Sequence, residues 1–312
     1  MKPLIILSGP TAVGKTDTSI ELAKRINGEI ISADSMQVYR GMDIGTAKIT
    51  TDEMKGIRHY LVNIIEPQDD FNVYIFKSMA KKAVEEIYSH GNIPIIVGGT
   101  GFYIQSVLYD IDFSETDNDF AYRHKLEDEL KSKGAEYLFE MLREVDPKSC
   151  ETIHMNNTKR VIRALEYYHM NHTPISSHNE EQRQKSSPYD YRYFVLTDER
   201  DRLYERIDRR VDIMVERGLA DEVKRLYDMG IDEKCTSMQG IGYKEMLEYI
   251  KGNVSLETAV ETIKLNTRHF AKRQLTWFKR EPEAELINIK DYGYDKSLIV
   301  DYMIKKTEGI VK

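Results

Sequence analysis

Cysteine is nearly absent: two in 312 residues, Cys150 and Cys235, far apart and in no Cys-x-x-Cys pairing. That excludes a disulfide framework and a cysteine-ligated structural zinc site, and makes a reducing cytoplasm the expected setting. Long hydrophobic runs are missing as well. None approaches the roughly 20 apolar residues that span a bilayer, so no membrane contact is expected. The stretch Leu4-Ile5-Ile6-Leu7 after Met1-Lys2 stops at Ser8-Gly9, too soon for the apolar region of a signal peptide, and reads better as a first core strand. There is no excess of positive charge either. A formal net charge of −7 argues against indiscriminate nucleic-acid binding. It leaves room for a local basic surface, because salt screens fields beyond about 8 Å. No Asn-Lys-x-Asp motif follows a strand, which speaks against a switch GTPase.

What is present suits a globular protein: 41% hydrophobic and 31% charged residues, long enough for one large α/β domain with an insertion or for two small domains. Short apolar runs bounded by turn residues predict buried parallel strands at Leu4–Leu7, Glu29–Ala33, Tyr60–Ile64, Ile93–Val97 and Tyr193–Leu196, with a last strand at Glu285–Ile289. Helical stretches lie between them: Thr16–Arg25, stopped by Asn27-Gly28, and Ile75–Tyr88, stopped by His90-Gly91. Strand alternating with helix implies an α/β fold, a doubly wound parallel sheet with right-handed crossovers. From residue 114 to 189 the strand signal gives way to helical patterns at Tyr122–Lys133, Ala135–Glu144 and Thr158–Tyr168, then to a polar run from Ser176 to Ser187. This predicts a helical insertion at 114–189, its far end a mobile polar linker, within a core of 1–113 and 190–312. Long helices follow at 200–217, 219–228 and 255–279.

Gly9-Pro10-Thr11-Ala12-Val13-Gly14-Lys15-Thr16 matches the P-loop pattern G-x-x-x-x-G-K-[ST], directly after a strand and opening a helix. Its glycines let backbone N–H groups turn inward, and the helix N-terminus favours a diphosphate. Lys15 is expected to reach phosphate oxygens and Thr16 to offer its hydroxyl to a bound Mg²⁺. A P-loop names no reaction, since kinases and other transferases share it.

Two further loops belong to the same edge of the expected sheet. Asp34 ends the second strand, where ligands bind in open parallel sheets. After the fourth strand, Gly98-Gly99-Thr100-Gly101 permits close backbone approach and presents a hydroxyl. Taken singly, Asp34 also fits a helix N-cap and Gly98-Gly99 a tight turn. In the helix 200–217, Leu203, Ile207, Arg210 and Met214 follow the spacing of a buried seam, with Arg206 and Arg209 outside it. An Arg on an apolar seam needs a partner, either a diphosphate held bidentately or a core carboxylate. Thr262 to Arg280 carries six Lys or Arg and no acidic residue, with Lys264, Arg268 and Lys272 on one face. With no opposite charges in that stretch, phosphate contact is the favoured expectation over a solvated face.

Together these features resemble the bacterial tRNA dimethylallyltransferases, also called tRNA isopentenyltransferases. The resemblance rests on the P-loop, Asp34-Ser35-Met36-Gln37-Val38-Tyr39 with Gly45-Thr46-Ala47-Lys48, and Gly98-Gly99-Thr100-Gly101-Phe102-Tyr103. It continues through Lys159-Arg160 and Arg163-Ala164-Leu165-Glu166, Gly240-Ile241-Gly242-Tyr243-Lys244, and Thr267-Arg268 with Ala271-Lys272-Arg273-Gln274 and Thr276-Trp277. It implies transfer of a dimethylallyl group from dimethylallyl diphosphate to the exocyclic amine of the adenosine 3′ of the anticodon, in tRNAs reading codons that begin with U. The P-loop then holds the prenyl diphosphate in place of ATP, and the adenosine is flipped from its stack. By the same resemblance Asp34 accepts the amine proton, Thr100 hydrogen-bonds the leaving diphosphate, and Arg210 joins them as a catalytic residue. Ser35, Met36, Gln37, Arg123, Lys159, Arg160, Arg163, Gln239, Gly240, Gly242, Lys272 and Arg273 are the expected tRNA contacts, the insertion meeting the anticodon stem. A monomer is expected. Three other readings stay open on the residues alone: a small-molecule kinase, an RNA-binding protein with a nucleotide switch, and an isopentenyltransferase acting on free adenine nucleotides.

Overall fold

Apolar, β-branched runs closed by glycine and polar turns form a six-stranded parallel sheet in the computed structural model, which describes residues 1–113 and 120–311. The strands are β1 (Lys2–Ser8), β2 (Gly28–Ala33), β3 (His59–Tyr60), β4 (Ile93–Gly98), β5 (Tyr189–Thr197) and β6 (Ala284–Asn288). Their spatial order is β3-β2-β4-β1-β5-β6, and each neighbouring pair is parallel. Leu4, Ile5, Ile6 and Leu7 of β1 are fully buried, as a central strand covered on both faces requires. Helix α1 (Lys15–Ile26) ends where Asn27 turns left-handed, and α2 (Val73–Ser89) starts where the Asn72 side chain accepts the N–H of Ile75. The α/β class with a parallel sheet is therefore as expected.

Register decides where the loops meet. Ser8 of β1 and Ala33 of β2 both lie level with Gly98 of β4. Three parallel strands thus end together, and the chain segments that leave them start side by side.

The third strand is shorter than its apolar pattern suggests. Left-handed conformations at Leu61 and Asn63 break the extended run after Tyr60. The chain then turns to bond the segment after β2, with Asn63 N–H to Gln37 O and Ile64 N–H to Val38 O. Those bonds brace the Asp34–Tyr39 segment from behind.

The chain divides into two compact units, 1–108 with 188–312, and 109–187. The first contains the sheet and the helices α3 (Gly101–Leu108), α7 (Arg200–Glu216), α8 (Leu219–Asp228), α9 (Tyr243–Ile250), α10 (Leu256–Phe278) and α11 (Lys296–Thr307). The second is built from α4 (Phe120–Val145), α5 (Thr158–Asn171) and α6 (Ile175–Arg183), around Leu126, Leu138, Leu142, Val161, Ile162 and Leu165. The two helices expected at 122–133 and 135–144 join at Gly134, whose φ of 87° interrupts the helical path of α4. The expected mobile linker is a correction: most of it is α6. Buried Asp146 accepts from the backbone N–H and hydroxyl of Ser176, and Ile175 packs on the unit's core. Contacts from distant residues order a run whose own composition offers little to bury. Among the described residues no helix is long and apolar enough to cross a membrane.

Candidate active site

The P-loop leaves β1 and closes on α1, with Gly14 left-handed at the helix start (φ 108°). Lys15 Nζ donates to the carbonyls of Gly9 and Pro10, 2.8 Å each, so the ammonium lies across its own loop. Burial, then the nearby Arg210 guanidinium, pulls its pKa down to about 7, against the opposing pull of Asp34. Arg210 reaches the same loop, its Nη1 3.5 Å from Thr11 Oγ1. Its own pKa is lowered by burial and by Arg206, while Asp34 and Glu53 act in the opposite sense. Arg206 Nε donates to Ala12 O at 2.7 Å. Lys15, Arg206 and Arg210 therefore crowd one loop and repel one another, an arrangement that a polyanion relieves.

The seam on α7 differs from the expected one. Leu203, Ile207 and Val211 are the buried residues, with Arg210 beside them and Met214 only half-buried. A strict four-residue spacing turns the apolar stripe slightly, which brings Arg210 and also Arg206 to the P-loop. The sequence pattern leaves Arg206 outside the seam. No local signal marks its contact, because that contact is with a backbone carbonyl 194 positions away.

Asp34 follows β2 directly. Its Oδ1 accepts the N–H of Met36 at 2.8 Å and of Gln37 at 3.3 Å, so it caps the turn that follows. Oδ2 takes no part in that turn. Thr100 N–H donates to Ala33 O at 3.2 Å, which sets the two loops against each other across the β2/β4 register. Asp34 acts electrostatically on Lys15, Arg210 and Tyr103, so the three expected catalytic residues and the P-loop lysine share one locality. Thr16 is exposed at the first turn of α1. No group of three His, Cys, Asp or Glu suited to a metal occurs among the described residues. A single hydroxyl fits a Mg²⁺ ion whose remaining ligands are phosphate oxygens and water, and does not fit a metal caged by protein.

Ser35, Met36 and Gln37 form the half-buried turn beyond Asp34. The Gln37 amide is already engaged at long range, 3.4–3.5 Å, with Thr46 O, Ala47 O and the Ser32 hydroxyl. Met36 packs on Gly240, where an added Cβ would lie 2.6 Å from the methionine methyl carbon. Gln239 spends its amide on Glu233 O. Buried Glu222 of α8 accepts from the backbone N–H groups of Asp43, Ile44 and Gly45 and from Tyr243 OH, which ties Gly45 to the Gly240–Tyr243 segment. Nothing in the sequence singles out Glu222, since a lone Glu in an amphipathic helix looks like any solvated charge.

Lys272 and Arg273 are exposed on α10. Two other cations of the basic stripe need correcting: Lys264 pairs with Asp212 at 2.8 Å and Arg268 with Asp208 at 2.7 Å. Those two carboxylates are on α7, packed alongside, and Glu261 of α10 itself lies 3.3 Å from the Lys264 ammonium. In the second unit, Lys159 and Arg160 are exposed in the first turn of α5 and Arg163 is half-buried one turn on. Arg123 departs from its expected role: it gives Nε and Nη2 to the buried Glu166 carboxylate at 2.7 and 2.8 Å, an ion pair that holds α4 on α5. Those two donors are committed to Glu166 and are not free to grip a phosphate.

Comparison with known proteins finds relatives over nearly the whole chain. The family described as IPP transferase matches residues 37–281. A tRNA dimethylallyltransferase of Lachnoclostridium phytofermentans is 58% identical over 99% of this chain and 98% of its own length. A solved structure of the full-length tRNA isopentenylpyrophosphate transferase from Bacillus halodurans is 46% identical with a TM-score of 0.74, covering 99% of this chain and 97% of that one. A eukaryotic dimethylallyltransferase acting on tRNA is 32% identical with a TM-score of 0.78, over 92% of this chain and 74% of the other.

Proposed function

Since the chain belongs to the IPP transferase family, we propose that it transfers a dimethylallyl group from dimethylallyl diphosphate to the exocyclic amine of the adenosine 3′ of the anticodon. It does so as a cytoplasmic monomer, on tRNAs reading codons that begin with U. The observation that carries this reading is the crowd of three cations on the P-loop, beside a carboxylate and a hydroxyl brought in from neighbouring strands. A polyanion answers the cations, and the carboxylate answers an amine that gains positive charge.

In the proposed step the amine nitrogen attacks C1 of the prenyl group and the C1–O bond breaks, its electron pair leaving with diphosphate. Asp34 Oδ2 takes the proton that nitrogen sheds. Lys15, Arg206, Arg210 and the Thr100 hydroxyl stabilise the charge that develops on the leaving oxygens. Mg²⁺, held by Thr16 and the diphosphate, supplies further charge neutralisation when bound. The P-loop here holds the prenyl diphosphate and hydrolyses no ATP. Incubating the protein with labelled dimethylallyl diphosphate and an anticodon stem-loop, AMP or ATP tests the reading. Label enters the stem-loop alone. Label in AMP, or ATP turnover without prenyl transfer, rejects it.

The second unit contacts the anticodon stem. Lys159 and Arg160 stand in the first turn of α5, whose N-cap Asn157 makes no side-chain cap. Cations at a helix N-terminus oppose the helix dipole unless an anion arrives there, and a backbone phosphate satisfies both. Arg160→Glu with Arg163→Glu weakens tRNA binding and flattens its salt dependence, by roughly 0.7–0.9 in log–log slope for each phosphate no longer neutralised. Titrations from low to high salt check this. An unchanged slope removes these residues from the interface.

A further inference from the structure

We infer that Gln274 is a positioning residue for the transfer reaction, the tie that holds the Thr100 loop at working distance from the P-loop. The inference rests on the proposed function. Gln274 lies on α10, is 6% exposed, and uses both ends of its amide. Its Oε1 accepts the N–H of Thr11 in the P-loop at 2.9 Å, and its Nε2 donates to Gly99 O at 3.0 Å. One planar group thus joins loops that leave β1 and β4, in the two residues next to the reacting groups. Thr11 also receives Arg210, and Gly99 directly precedes Thr100.

The glycines of the Thr100 loop make that tie possible. A Cβ added at Gly99 would lie 2.1 Å from Gln274 Nε2, and one at Gly101 would lie 2.1 Å from Trp277 Nε1. Gln274 and Trp277 are three apart, hence neighbours on one helix face. The loop is therefore seated on α10 at both sides of Thr100, while Thr100 N–H is held by Ala33 O. Thr100 itself is half-buried between these anchors.

Only an amide suits this place. It donates and accepts in one plane without adding charge beside Lys15, Arg206 and Arg210. A glutamate keeps the acceptor but sets an oxygen against Gly99 O, and a methionine of similar length keeps the volume and neither bond. Displacement of a catalytic group by about 1 Å costs on the order of 10²-fold in rate, which is the loss expected in kcat for Gln274→Met.

A double-mutant cycle with Thr100→Val separates positioning from general support. In the Thr100→Val protein the hydroxyl is gone, so Gln274→Met lowers kcat by less than about threefold, against about 10²-fold when Thr100 is intact. Inorganic diphosphate binding, followed by the fluorescence of Trp277, the chain's only tryptophan, runs through the same cycle without any turnover. There too the effect of Gln274→Met shrinks when Thr100 is absent. Gln274→Glu, nearly isosteric, repeats both measurements should Gln274→Met melt early. Equal losses in both backgrounds, or native kcat in a folded variant, overturn the inference. Absence of transfer by the unmodified protein rejects the proposed function instead, and the diphosphate cycle still decides the role of Gln274.

Discussion

Asp34→Asn lowers kcat by about 10²–10⁴-fold, the span of one general acid–base residue, while the affinities for tRNA and prenyl diphosphate stay within about tenfold. Asparagine is a clean replacement here because Asp34 has two separable duties. Its Oδ1 caps the turn at Met36 and Gln37, and an amide oxygen caps equally well. Its Oδ2, and the negative charge, are what asparagine removes. The lone pair of an adenine exocyclic amine is delocalised into the ring, so the nitrogen is a weak nucleophile and turns acidic only as the new C–N bond forms. A carboxylate that orients the amine and takes its proton late meets that need. An amide orients it and takes nothing. Single-turnover transfer with both substrates saturating is the measurement. Near-native rates there reduce Asp34 to a turn cap and send the search for a base elsewhere.

Lys15→Ala lowers kcat/KM by on the order of 10²-fold or more, because a charge buried beside a diphosphate is worth far more than one in water. The lysine also predicts a pH dependence. In the free protein burial and Arg210 hold its pKa near 7, and a bound diphosphate raises it. Protonated lysine is the binding form, so its contribution is complete below about pH 7. It is lost as pH rises toward the pKa of the complex, at up to tenfold in Kd per unit. Diphosphate ionises over part of the same range, and the ratio of Kd values for the Lys15→Ala and unmodified proteins cancels that contribution. The ratio falls between pH 7 and 9. A ratio flat across that window means that Lys15 enters the reaction fully charged and that its neighbours leave its proton undisturbed.

Features carried by short stretches of chain are legible in the sequence itself. The P-loop is a run of eight residues whose glycines, lysine and threonine act through their own backbone, so pattern and conformation coincide. Buried strands declare themselves by unbroken apolar runs, and parallel order follows from their alternation with helices. Asp34 and Thr100 stand out in the same way, as residues that follow strands. Position alone leaves open whether Asp34 caps a turn or faces a ligand, and the fold commits its Oδ1 to the turn.

What only the folded chain decides depends on partners far away in sequence. Arg206 and Arg210 sit on adjacent turns of α7, and their contacts with the P-loop are set by a small rotation of that helix that no spacing rule resolves. Arg268 looks unpaired in the sequence because Asp208 belongs to another helix, Asp212 reaches Lys264 from that helix too, and Arg123 looks free because Glu166 is 43 residues on. The run from Ser176 to Ser187 is polar enough to read as linker, yet Asp146 and the insertion core hold most of it as a helix. Gln274 is one letter of a motif until the tertiary structure puts it between two loops. A side-chain amide reaches only about 3 Å to its partners. Which partners those are is a property of the packing of whole helices on the sheet, and it is spread over too many residues to be written in any one stretch of the chain.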